Sequence, residues 1–362
     1  MARVVIAPDS FKGSATNSDI ALWISEGWAS VRPGDEIIQI PMADGGEGTL
    51  NTIAAIRDDV DFSTLSVVGA DGRRNRAHWL LLDDGSAIVE LANACGITLM
   101  DQLNPLGAHT YGLGQVLNEV RRHSDVERIY IALGGSASTD GGSGALRALG
   151  FRFLDQMGAE IPLGGAGLNQ LAEIDSSNFL HPPKGGVTCM VDVSNPLLGA
   201  MGAAAVFAPQ KGATKEQIRI LESGLQKFQA ISSVPDSPGS GSAGGTAYGL
   251  RGGWGAKYVA GSAAIGELVG LPEAIASADF VVTGEGKLDS QSWSGKAVSY
   301  VKQISTALGK PVGYCVGSTA VSFPIDAFAG VSLVALSGSG ESAMDDTKRW
   351  VVAAGKIMAA KV

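Results

Sequence analysis

Five times along the chain a short apolar run breaks into a loop of glycine, small hydroxyl and acidic residues, and most of these loops restart as an Ala/Leu-rich pattern. The fullest case is residues 126–150, where Ile129-Tyr130-Ile131-Ala132-Leu133 gives way to Gly134-Gly135-Ser136-Ala137-Ser138-Thr139-Asp140-Gly141-Gly142 and then to Gly144-Ala145-Leu146. A buried strand followed by a helix finds its next partner by crossover, so strand–loop–helix repetition predicts an α/β chain with parallel strands. A Gly-rich loop at a helix N-terminus also presents backbone N–H groups to an anion, phosphate above all. At 362 residues the chain exceeds what one hydrophobic core usually serves, which points to two α/β domains.

Three loops come first and last in this series. Arg3–Ala7 reads as a strand running into Pro8-Asp9-Ser10-Phe11-Lys12, with Thr16, Asn17 and Ser18 as caps for a helix ending before Pro33. Glu36–Ile40 runs into Asp44-Gly45-Gly46-Glu47-Gly48, where two carboxylates three apart suit a metal or the hydroxyls of a polyol. Ala278–Val282 feeds Thr283-Gly284-Glu285-Gly286-Lys287-Leu288-Asp289, followed by Lys296. Pro311–Val316 and Val331–Leu336 read as further strands, so residues 276–362 are expected to complete the sheet begun by residues 1–63.

Between them the texture changes. Segments 64–68, 77–82 and 87–91 are short strands joined by turns at Asp71-Gly72 and Asp83-Asp84-Gly85, the mark of antiparallel hairpins, so residues 64–275 form an inserted domain. Residues 151–161 read as another strand pair, and 232–245 as partly flexible by composition, with Ala243-Gly244-Gly245-Thr246 a further candidate anion loop. Gly186–Val191 is a strand ending in Asp192-Val193-Ser194-Asn195, and a carboxylate at an apolar strand end is well placed for acid–base work. Lys211 stands alone among small residues, and His109 has no carboxylate partner visible in sequence.

Composition removes other classes. Net charge is −9 with no basic cluster, which excludes a nucleic-acid partner, and no apolar run approaches the roughly 20 residues of a membrane span. Without a signal-like start the expected location is the cytoplasm. Cys95, Cys189 and Cys315 have no metal-binding spacing, and four histidines form no HxH or HxxxH pair. A dinucleotide-dependent dehydrogenase would need GxGxxG after the first strand, where PDSFKGS stands instead. No Walker A pattern occurs either.

Taken in order, APDSFKGS, PMADGGEGT, ALGGSASTDGG, VDVSNPLLGAMGAA and TGEGKLDSQSWSGK resemble the type I glycerate kinase family over the whole chain. The resemblance implies transfer of the ATP γ-phosphoryl group to D-glycerate with Mg²⁺, in many members giving 2-phosphoglycerate. It implies a discontinuous Rossmann-like domain, an inserted second α/β domain and a cleft between them. The stretch SGSAGGTAYGL departs from the family at Thr246 and Tyr248. Phosphoryl transfer needs cations around the transferring group and a carboxylate for the acceptor proton.

On that chemistry Asp192 is the expected base, with Lys12 and Asp9 beside it as catalytic groups, and Ser10, Asp44, Glu47 and Asn195 are expected on the acceptor. Gly135, Ser136, Ser138, Thr139, Asp140 and Gly141, with Lys287 and Lys296, are expected on ATP, and Asp44, Glu285 and Asp289 on the metal. The partners are then ATP and D-glycerate, with a monomer or homodimer as the assembly. A non-catalytic sugar-acid sensor of the same fold is the alternative, and it predicts a degraded nucleotide loop, whereas Gly134–Gly144 and Glu285–Lys296 are intact.

Overall fold

Arg3–Pro8 is buried along all but its first residue because it is an interior strand of a sheet, as its unbroken apolar run requires. In a computed structural model, which describes residues 1–293 and 295–362, the sheet order is Ala329–Ser332, Val312–Val316, Phe280–Gly284, Arg3–Pro8, Glu36–Gln39. Every neighbouring pair is parallel. This sheet belongs to a first unit made of Met1–Asp44, Asn51–Asp58 and Ala260–Val362. Thr16 opens its first helix, Asn17–Val31, with a capping box closed by Asp19. That helix packs on the last one, Thr347–Ala359, through Ile20, Ile24 and Trp28 against Val351, Ala354 and Met358. The approach is close enough that a Cβ on Gly27 would stand 2.2 Å from the Val352 carbonyl.

The second unit, Gly45–Leu50 and Asp59–Val259, is built on a six-stranded sheet. Val60–Val68, Arg74–Leu82 and Ser86–Glu90 form the antiparallel meander that the Asp-Gly turns predicted. Arg128–Ala132, Val187–Met190 and Lys257–Val259 then add in parallel. The short segment Gly45–Leu50 counts with this unit because the buried Glu90 carboxylate accepts from Gly48 N at 3.1 Å and Leu50 N at 3.3 Å.

Several expectations are corrected. Residues 331–336 are strand only to Ser332, and Leu333–Ser337 is helix, a distinction an apolar run of that length does not encode. Within 151–161 a single bridge joins Leu154 to Glu160, and the ladder partner of Arg152–Leu154 is Glu173–Asp175. Residues 232–245 are tied down, with Asp236 accepting from Leu197 N and Ser240 fully buried. Besides the short excursion of Gly45–Leu50, the chain passes between units at 58/59 and 259/260, because the edge strand already begins at Val60 and helices Gly261–Leu268 and Leu271–Ser277 group with the first unit.

Candidate functional site

A fully parallel sheet delivers every strand's following loop to the same edge. In the first unit a cavity of about 460 Å³ opens there, lined by residues that follow all five strands: Asp9, Ser10 and Lys12; Asp44; Glu285, Gly286 and Lys287; Gly317 and Ser318; Leu333 and Val334. Arg3–Pro8 connects forward to one neighbour, Glu36–Gln39, while Phe280–Gly284 leads away on the other side. The crevice between those two central strands is the switch point at which open α/β sheets bind ligands. Asp9 and Glu285 flank it, with Asp9 N donating to Gly284 O at 2.8 Å.

The cavity is rich in both signs of charge. Burial, then the Asp44 and Glu285 carboxylates, push Asp9 up to about 7, against the hydrogen bond from Ser10 N at 2.6 Å. Glu285 is also raised, chiefly by burial, while Ser292 and Lys296 pull it back. Its Oε1 is buried and has no hydrogen-bond partner among the described residues. Asp289 is already engaged, accepting from Gln291 N at 2.9 Å and lying 3.9 Å from Lys287 Nζ. Lys12 is exposed at the rim, and Lys296 lines the wall.

Asp44, Glu285 and Asp289 were expected to form a metal set, but no group of three His, Cys, Asp or Glu residues with that geometry occurs among the described residues. A full protein cage is not what Mg²⁺ requires, since it usually takes one or two carboxylates and keeps its waters and phosphate oxygens. The orphaned Glu285 Oε1 beside mutually repelling carboxylates fits such a partial site. Asp289, held by Lys287 and Gln291, fits it poorly.

The second unit carries its own cavity, of about 420 Å³, also at the carboxyl ends of parallel strands. Leu133, Gly134, Gly135 and Ser136 line one side, Val193 another, and Phe207, Gln210, Lys211 and Ser242–Gly244 close it. Gly134 leaves room for the Gly46 backbone, since a Cβ there would lie 2.5 Å from Gly46 Cα. Only part of the expected anion loop faces this space. Asp140 is fully buried and saturated: it accepts from Thr110 N (2.9 Å) and Oγ1 (2.8 Å), Ser138 Oγ (3.1 Å), Gly142 N and Gly144 N (both 3.2 Å). Its role is to hold the loop's shape, which replaces the direct nucleotide contact expected of it. Ser138 and Thr139 are buried and Gly141 packs on Phe228, so these three are also set apart from the cavity lining, where Gly135 and Ser136 stand.

The other expected residues divide as follows. Asp9, Ser10, Lys12, Asp44, Glu285, Lys287, Asp289 and Lys296 come together in the first cavity. Lys287 and Lys296 belong to the first unit and the Gly-rich loop to the second. Glu47 is exposed on Gly45–Leu50. Asp192 is half-buried two residues beyond its strand, next to the cavity-lining Val193. Asn195 uses its amide on Met201 O at 2.7 Å. In the divergent stretch Thr246 Oγ1 donates to Ala243 O at 2.7 Å, and the Tyr248 hydroxyl bonds Val234 O at 2.9 Å, so both are structural. Lys211 is the functional candidate that motif reasoning left out of the site, because its only signal is burial.

The model of the Glycerate kinase family matches residues 4–362. A glycerate kinase of Bacillus subtilis (strain 168) is 38% identical over 328 residues, 87% of this chain and 85% of that protein. A glycerate 2-kinase of Escherichia coli (strain K12) is 36% identical over 326 residues, with 87% and 85% covered. A crystal structure assigned to a glycerate kinase 2 of Salmonella typhimurium LT2 superimposes with a TM-score of 0.85 at 33% identity, covering 99% of this chain and 97% of that one.

Proposed function

Since this chain belongs to the glycerate kinase family, we propose that it transfers the γ-phosphoryl group of ATP to the 2-hydroxyl of D-glycerate. The observation that carries the reading is the switch-point cavity that gathers Asp9, Asp44 and Glu285 with Lys12, Lys287 and Lys296 around one space, where burial raises the proton affinity of Asp9. A carboxylate titrating near the working pH is the most effective general base for an alcohol. We therefore assign the acceptor's proton to Asp9 in preference to Asp192. Lys12, Lys287 and Lys296 neutralise the phosphoryl group and the glycerate carboxylate, with Ser10 hydrogen-bonding the acceptor. Glu285 and Asp44 are the residues that would hold Mg²⁺, which when bound screens the charge of the phosphates.

The Gly134–Ser136 loop, shaped from beneath by Asp140, is the proposed cradle for the nucleotide's phosphates. The 2-position is favoured because a relative at 36% identity carries that specificity in its name. The test is incubation with ATP, Mg²⁺ and D-glycerate, with the product identified by ³¹P NMR. The expected product is 2-phosphoglycerate. Formation of 3-phosphoglycerate overturns the regiochemistry, and binding of both ligands without turnover overturns the enzyme reading in favour of a sugar-acid sensor.

A further inference from the structure

The second cavity contains a cation to which no role has yet been given. Lys211 ends the short turn Pro209–Lys211, is 4% exposed, and lines the cavity wall. Its Nζ donates to Ser136 Oγ at 2.8 Å and to the Ser138 carbonyl. Both partners are neutral, and Asp140 reaches it only through space. An ammonium has three donors and two are used here on neutral oxygens, so one donor is left to be satisfied at this wall, and Asp140 offsets its charge only through space.

The adjoining wall is unusual in its backbone. The helix Ser242–Trp254 begins with three residues in the left-handed region, Ala243 (φ 53°), Gly244 (φ 67°) and Gly245 (φ 86°). Alanine there is strained, and strain of this kind persists only where surroundings impose it. The imposition is visible: Gly244 O accepts from Gly141 N at 3.0 Å, and a Cβ on Gly244 would meet the Ser138 carbonyl at 2.1 Å. The Ser138 carbonyl thus accepts from Lys211 and abuts Gly244 at the kinked start of this helix, which puts cation and small-residue wall side by side.

We propose that Lys211 receives a phosphate group in this cavity, placing the polyphosphate tail of the nucleotide between its ammonium and the backbone of Gly134–Ser136 and Ser242–Gly244. The proposal rests on the kinase reading above and adds the residue that anchors the donor. Glycines and Ala243 leave room for a tetrahedral group to approach the backbone, and a lysine point charge suits phosphate. Ile97, Leu133, Val193 and Phe207 add an apolar wall, and about 420 Å³ is far more than a three-carbon acid fills and is in the range of small-molecule sites. Burial lowers Lys211 to about 7, so an arriving anion would stabilise its charged form.

The test is calorimetric titration at pH 7 with ADP, adenosine, 2-phosphoglycerate and D-glycerate, using unaltered protein, Lys211→Met and Lys211→Arg. ADP is expected to bind Lys211→Met about 10- to 100-fold more weakly, with Lys211→Arg retaining part of the affinity and with adenosine and D-glycerate unchanged. ADP affinity equal to that of the unaltered protein in a folded Lys211→Met overturns the proposal. Should the methionine variant not fold, carbamylation of unaltered protein by cyanate decides, read at each lysine by mass spectrometry. ADP is expected to protect Lys211 while D-glycerate and adenosine do not. Protection by D-glycerate or 2-phosphoglycerate but not ADP refutes a nucleotide tail. Turnover of ATP and D-glycerate by unaltered protein, measured in parallel, separates failure of this proposal from failure of the kinase reading.

Discussion

Replacing Asp9 by Asn removes a charge that the fold resists and the reaction needs, so stability and activity should move in opposite directions. Raising Asp9 from 3.8 to about 7 is about 3 pK units, or about 4 kcal/mol at about 1.36 kcal/mol per unit. The folded protein keeps this proton until pH approaches 7, whereas the unfolded chain loses it near 3.8. Between those values the folded state binds more protons and stability falls as pH rises, with the whole cost present above pH 7. Asn can still accept from Ser10 N and has no charge to desolvate. Allowing half of the cost to be relieved by relaxation, Asp9→Asn should be about 2 kcal/mol more stable at pH 8, a rise of about 2–3 °C in Tm, with no gain near pH 4. The assay is thermal unfolding from pH 4 to 8 in chelator without substrate, beside steady-state kinetics in which kcat drops about 10²- to 10⁴-fold. A difference in Tm that is flat with pH, or a variant with full activity, refutes the reasoning.

Three further outcomes follow from the same geometry. Lys12→Met should lower kcat/KM by roughly 10- to 150-fold through loss of a charge-assisted hydrogen bond, with Tm unchanged because Lys12 is exposed at the rim. Asp192→Asn should reduce kcat much less than Asp9→Asn and leave the Mg²⁺ midpoint unshifted; a drop of 10²-fold at constant midpoint returns the base role to Asp192, and a raised midpoint makes it a metal ligand. Gly27→Ala should destabilise by about 1–3 kcal/mol in denaturant unfolding, since its Cβ would overlap the Val352 carbonyl and the two helices must separate.

Much of this was legible in sequence wherever local chemistry alone decides. Asp9, Asp44 and Glu285 each follow a short apolar run, and parallel pairing then carries all three to one edge. The Thr16 cap and the Asp-Gly hairpins were equally readable because each is a contact within a few residues. What failed depends on contacts made at a distance. Asp140 resembles a ligand-binding acid in its own loop, and only Thr110, 30 residues earlier, reveals it as a buttress. Lys211 reads as an ordinary loop lysine until Ser136, 75 residues away, is found beneath it.

The interior position of Arg3–Pro8 bears on the order in which the molecule can assemble during synthesis. Its neighbour Phe280–Gly284 lies 276 residues later in the chain, as the bond from Thr283 Oγ1 to Ala7 O records. At about 5–20 residues per second the ribosome needs roughly 14–55 s to make that stretch, far longer than secondary structure takes to form. For that time Arg3–Pro8 has only Glu36–Gln39 to pair with, while all of Asp59–Val259 is synthesised and free to fold. The apolar strand that ends at the candidate base is therefore the oldest part of its sheet and among the last to be covered. Its exposure to chaperones and to misassociation is set by the length of the insertion and not by the stability of the finished fold.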